Sequence, residues 1–91
     1  MADRAVAYVF TPHAVFELDR RGIDEALVRR VLQAPDQRDV IRPGRNVFQS
    51  RVEIEGRMYL VRVFVDVDRD PAEVVTAYRT SKIDKYWRTE P

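Results

Sequence analysis

Apolar positions along this chain change their spacing once, near Gln37. Before that point the period is helical. "AVAYVF", residues 5 to 10, opens with two valines and two aromatics and no helical break, which predicts a short strand over Ala5–Phe10. Thr11-Pro12 follows. Threonine is a good N-cap, and proline suits the first helical position because its missing N–H costs nothing there. Phe10 and Val15 are spaced for a hydrophobic staple. A helix is therefore expected from Pro12 to about Arg21, closed by Gly22. Asp24 repeats the cap, with Ile23 and Val28 as its staple, and a second helix should run to about Ala34 before Pro35 stops it. Ile23, Leu27 and Val31 form its apolar stripe, joined by Val28 and Leu32, so the two helices should pack as a hairpin.

Beyond Gln37 the period shortens to two. Arg38–Arg42 reads as a strand and Pro43-Gly44 as a turn. In Asn46–Ile54, Phe48, Val52 and Ile54 alternate with Gln49, Arg51 and Glu53, and Glu55-Gly56 makes a tight hairpin connection. Arg57–Val67 is apolar on both faces except for Arg62, which places it at the centre of a sheet. Asp68–Pro71 is a charged loop. Glu73–Thr80 is the last strand, with Thr76, Tyr78 and Thr80 on one face and Val75 and Ala77 on the other. Ser81–Arg88 is a tail whose Tyr86 and Trp87 can dock onto the sheet. The expected fold is α+β: a short N-terminal strand, then a two-helix hairpin on one face of a curled antiparallel sheet of three to four further strands.

Ninety-one residues make one domain, and 45% hydrophobic with 34% charged residues reads as globular. No apolar run approaches the roughly 18 residues of a membrane span. The opening Met1-Ala2-Asp3-Arg4 lacks a signal-peptide pattern, so no membrane and a cytoplasmic location are expected. The absence of cysteine removes disulfides, thiolate zinc sites and a cysteine nucleophile, and one histidine leaves no transition-metal set. Asp66, Asp68 and Asp70 begin like a calcium loop. The pattern then fails, with Pro71 in the glycine position and Ala77 in place of the closing glutamate. No glycine-rich phosphate loop is present, and no cofactor or metal is implied. Net charge is only +1, yet residues 38 to 62 carry six arginines against three acids, and fourteen of the sixteen basic residues are arginine. Arginine grips phosphate bidentately and stacks on bases, so a local polyanion site fits; a genome rich in arginine codons gives the same count.

Candidate chemistry gathers in three places. His13 stands at the mouth of the first helix, beside free N–H groups and the positive end of the dipole, where a phosphate could bind and a neutral imidazole could act as general base. A surface histidine tolerated after proline fits equally. Tyr78, Arg79, Thr80 and Lys82 combine hydroxyls and cations suited to a phosphodiester, though a strand ending in a polar turn reads the same way. Arg45, Gln49, Arg51 and Arg62 form the third set. Arg62 is the odd one: it needs an acidic partner such as Glu53 or Asp66, or else opens onto a working face.

"TPHAVFELDRRGIDEALVRRVLQAPDQ", "NVFQSRV", "YLVRVFVDV" and "EVVTAYRTSK" together resemble the bacterial domain-of-unknown-function family 4258, over about residues 8 to 82. That family is similar in fold to the RelE/ParE toxins and to the barnase-, EndoU- and colicin-like ribonucleases. The resemblance implies a RelE-like fold and a metal-independent endoribonuclease, the toxin of a toxin–antitoxin pair. By position it implies that His13, Tyr78, Arg79 and Thr80 are catalytic and that Arg51 and Arg62 hold phosphate; the residue pattern adds Arg45, Gln49 and Lys82 to the expected RNA-binding set. The chain departs from ribosome-dependent toxins in being less basic, which favours free RNA, or no RNA at all. Partners on this reading are RNA, an antitoxin protein and a second copy of the chain. A non-catalytic protein-interaction or nucleic-acid-binding module on the same fold is the alternative. The catalytic version requires His13 and the Tyr78–Arg79 end of the last strand to face one groove.

Overall fold

The computed structural model describes residues 7–89. In order they form β1 (Tyr8–Phe10), α1 (Pro12–Arg21), α2 (Glu25–Gln33), β2 (Gln37–Arg42), β3 (Arg45–Ile54), β4 (Arg57–Asp66), β5 (Ala72–Thr80) and α3 (Ile83–Tyr86). Ala5 and Val6 of the expected first strand lie outside the described residues. The chain is α+β, with an open five-stranded mixed sheet in the order β1-β5-β4-β3-β2. The sheet is not purely antiparallel: β1 lies parallel to β5, and the meander from β2 to β5 is antiparallel throughout. No helix among the described residues is long and apolar enough to cross a membrane.

Local chemistry sets the helix ends. The Thr11 hydroxyl accepts the Ala14 N–H at 3.0 Å, and Pro12 occupies the first turn. At the other end Gly22 takes φ +66°, donates to the Asp19 carbonyl at 3.2 Å, and leaves the Ile23 N–H to reach the Leu18 carbonyl at 2.9 Å. That is a Schellman closure, with Leu18 and Ile23 both buried beside it. The Asp24 carboxylate caps α2 through the Ala26 N–H. The staple expected at α1 adds little burial, because Phe10 packs on the core while Val15 is 50% exposed.

The helices cover one face of the sheet. Ala14 and Leu18 of α1 and Val28, Val31 and Leu32 of α2 meet Phe48, Val61, Val63, Val65, Val74 and Ala77. β4 lies in the middle of the sheet, and its Leu60, Val61, Val63 and Val65 are fully buried. One detail of β5 departs from simple alternation. Phe64 pairs with Thr76 and Val65 with Val74, so Val75 is an extra, bulged residue. The core-facing pair is therefore Val74 and Ala77, not Val75 and Ala77.

Two connections are fixed by backbone conformation. Glu55 and Gly56 both have positive φ, 52° and 82°, as a two-residue hairpin turn between twisted strands requires. Gly44 turns β2 into β3 at φ +87°, where a Cβ would stand 2.6 Å from an Asp68 carboxylate oxygen. Arg21 binds α1 to the sheet by donating to the Ala77 carbonyl at 2.7 Å and to the Thr76 hydroxyl at 3.2 Å.

Leu18→Ala should destabilise the domain by about 2–5 kcal/mol through the cavity it leaves. Phe16→Ala, at a position 61% exposed, should stay within about 0.5 kcal/mol. Urea unfolding of both variants checks the contrast, with the midpoint shifting and the slope unchanged.

Candidate nucleic-acid interface

The face of the sheet away from α1 and α2 carries most of the polar candidates, and strand register explains why. Gln37 on β2 lies opposite Gln49 on β3, Gln49 opposite Arg62 on β4, and Arg62 opposite Tyr78 on β5. Residues directly opposite each other share a face, so these side chains form one rung across four strands. They are joined by hydrogen bonds. The Gln49 amide nitrogen donates to the Gln37 carbonyl oxygen at 2.8 Å, Arg62 Nε donates to Gln49 Oε1 at 2.8 Å, and Arg62 Nη1 donates to the Tyr78 hydroxyl at 2.7 Å.

Of the two alternatives for Arg62, an acidic partner is not the one realised: it bonds neither Glu53 nor Asp66. Asp66 instead holds Arg45, through Nε at 2.7 Å and Nη2 at 3.2 Å. The Arg62 guanidinium is enclosed by rings: Tyr86 at 4.3 Å from its carbon, Phe64 at 5.4 Å and Tyr78 at 5.8 Å. Its Nη2 has no hydrogen-bond partner among the described residues and is not a buried orphan. Those donors remain available to an incoming anion.

The segment after β5 crosses this face as a strap, so the expected docking of Tyr86 and Trp87 onto the sheet takes place. The Thr80 hydroxyl accepts the Lys82 N–H at 3.0 Å where the strap leaves the strand. Tyr86 lies over Arg62 and packs edge-on against Tyr78, with ring centroids 6.2 Å apart. Trp87 receives the Arg51 guanidinium 4.1 Å from its ring centroid. Arg88 reaches β2, where its backbone bonds the Gln37 side chain.

The two phenols are polarised in opposite senses. Burial pushes the Tyr78 phenol above the ordinary tyrosine value, and the Arg62 hydrogen bond only partly offsets this. The Tyr86 phenol is held below that value by the Tyr78 hydroxyl beside it, which can donate toward a phenolate, and then by Lys85. Neighbouring titratable groups pushed apart in this way suit one as proton donor and the other as acceptor.

A family described as a domain of unknown function, DUF4258, matches residues 10–79. This chain belongs to that family. No curated protein and no solved structure gives a significant match. The strap of this DUF4258 domain, with Tyr86 and Trp87, lies beyond the end of the match.

The sequence candidates of the DUF4258 domain divide between the two sides of the sheet. Gln49, Arg51, Arg62, Tyr78 and Thr80 belong to the strapped face or its rim. Arg45 shares that face but is engaged with Asp66, and Gln49, only 4% exposed, spends its amide on neighbours within the fold. Lys82 is exposed at the start of the strap. His13 is exposed on α1, in the helical layer, while Tyr78 projects from the opposite face of the sheet. His13 and Tyr78 thus do not face the one groove that the catalytic version requires. Arg79 falls on the helical side too, over the Tyr59 ring at 5.0 Å. There it lines a cavity of about 340 Å³ between α2 and the β3–β4 hairpin, with Arg30 and the acids Asp24, Glu53 and Glu55. Sequence reasoning passed over Phe64 and Gln37 as site residues. The period-two spacing of Phe64 from Arg62 was the available signal for the first, while Gln37 emerges only from strand register.

The Arg45–Asp66 pair gives the domain an acid-sensitive contact. Arg45 holds the Asp66 carboxyl below its ordinary value, chiefly through their hydrogen bond. The stabilisation is complete above the normal aspartate pKa of about 4 and is lost as pH falls through the lowered native value. Arg45→Ala should lower stability at neutral pH and flatten the loss of stability below about pH 4. Thermal melts across that range, compared with the parent chain, measure both effects.

Proposed function

We propose that this domain is a metal-independent endoribonuclease working on single-stranded RNA at the strapped face. The observation that carries the reading is Arg62, hydrogen-bonded to Tyr78, lying 4.3 Å under the Tyr86 ring and keeping Nη2 for an anion. Arg62 would bind the scissile phosphate and stabilise the charge that builds up on it, with Arg51 beside the strap as a second cation. Tyr86, the more acidic phenol, would act as its phenolate and accept the proton of the 2′-hydroxyl as its oxygen attacks phosphorus. Tyr78, the less acidic phenol, would give its proton to the departing 5′-oxygen as the P–O5′ bond breaks. The products are a 2′,3′-cyclic phosphate and a 5′-hydroxyl. Trp87 and the ring cluster supply the flat apolar surfaces on which unpaired bases stack. His13 and Arg79 have no part in this mechanism.

Family resemblance adds the biological setting: the domain would be the toxin of a toxin–antitoxin pair, with an antitoxin protein as its partner. A second reading, RNA binding without turnover, is favoured by one specific fact. Two of the three Arg62 nitrogens are already occupied within the fold.

Purified domain incubated with unstructured RNA and excess chelator should yield cyclic phosphate ends. Tyr86→Phe and Arg62→Ala should each cut the rate by about 10²-fold or more, while His13→Ala leaves it unchanged. The rate should climb as pH rises through the lowered Tyr86 ionisation and fall above the raised Tyr78 one, giving a bell between the two. RNA binding that weakens steeply with salt, with no product formed, would establish the second reading instead.

A further inference from the structure

The backbone of the strap is gripped by two side-chain amides. Gln49 Nε2 donates to the Tyr86 carbonyl at 3.2 Å. Gln37 Nε2 donates to the Arg88 carbonyl at 2.6 Å, and Gln37 Oε1 accepts the Arg88 N–H at 3.1 Å. Gln37 therefore pairs with Arg88 as a peptide group pairs with its neighbour in a ladder. Both glutamines are members of the rung that ends on Arg62 and Tyr78. Gln49 is the junction: one nitrogen serves Gln37 and the strap, and the oxygen serves Arg62. The same amide thus touches both the strap and the guanidinium, while Arg88 adds its own contacts to the Arg38 carbonyl and Asp39 on β2.

We infer that Gln37 and Gln49 are positioning residues, which fasten the C-terminal strap so that the Tyr86 phenol is held against Tyr78 and Arg62. This rests on the reading of the strapped face as the RNA-cleaving site. Neither glutamine need touch RNA. Gln49 is buried at 4% exposure, and its donors and acceptor are occupied within the protein. The Trp87–Arg51 contact lies between the two amide clasps along the strap. Fixing a short segment that carries a reacting group converts a loose encounter into a set geometry, and displacement of such a group by about 1 Å can cost around a hundredfold in rate.

Two substitutions separate the functions of the junction. Gln49→Glu keeps an oxygen for Arg62 but sets a carboxylate against the Tyr86 carbonyl and the Gln37 oxygen, so it should release the strap without freeing Arg62. Gln37→Leu leaves the Gln49–Arg62 bond intact and removes both bonds to Arg88. Trp87 is the only tryptophan, so its fluorescence reports the strap directly. In both variants emission should shift to the red and quenching by acrylamide should rise, while far-ultraviolet circular dichroism stays that of the parent. Single-turnover cleavage should fall about tenfold or more, and in Gln37→Leu, which adds no charge beside Arg62, the Kd for the same RNA should change less than about threefold. Alkaline titration should show one tyrosine ionising closer to its ordinary value as Tyr86 leaves Tyr78. Unchanged Trp87 emission and quenching in both variants would overturn the inference, as would a released strap with an undiminished cleavage rate. If the parent chain cuts no RNA, the nuclease reading fails, and fluorescence with the tyrosine titration then decides alone whether the amides hold the strap.

Discussion

A guanidinium in the middle strand of a sheet is the constraint around which this molecule is arranged. A half-buried cation without a carboxylate must be surrounded by oriented dipoles and aromatic faces, or its desolvation is ruinous. Arg62 obtains them from four separate parts of the chain: an amide from β3, a hydroxyl from β5, a ring from its own strand and a ring from the strap. None of these can shift by one residue, because a slip in strand register turns every side chain to the other face. The arginine therefore selects the same register as the apolar core on the far side of the sheet, and the two requirements reinforce each other.

Division of labour between the faces follows from this arrangement. The helical side is occupied by valine, leucine and alanine and holds the domain together. The strapped side sets two buried aliphatics, Val47 and Leu60, among polar and aromatic groups whose hydrogen bonds run sideways, rung by rung. A short strap covers that side only in part, so its cations are both ordered and reachable.

Much of the scaffold was legible because its signals are local. α1 begins and ends where Thr11-Pro12 and Gly22 say it should, since capping groups act within a turn of their own position. The β3–β4 hairpin was equally clear from Glu55-Gly56. What escaped was non-local. The parallel pairing of β1 with β5 carries no mark in six residues of sequence, and the bulge at Val75 arises from pairing, not composition. The site shows the same division. Tyr78 and Arg62 could each be singled out by residue type, but their contact depends on register. His13 attracted interest for a sound local reason, yet helix position alone does not reveal on which side of a sheet the helix packs. Gln37 has no distinguishing chemistry until the fold brings Arg88 beside it from 51 residues away.

The strap follows every strand in the chain. Its anchors, Gln37, Gln49 and Arg51, stand on strands whose register the opposite, apolar face already fixes. Local opening of this segment therefore leaves the sheet intact, and the polar face can be uncovered without unfolding the domain.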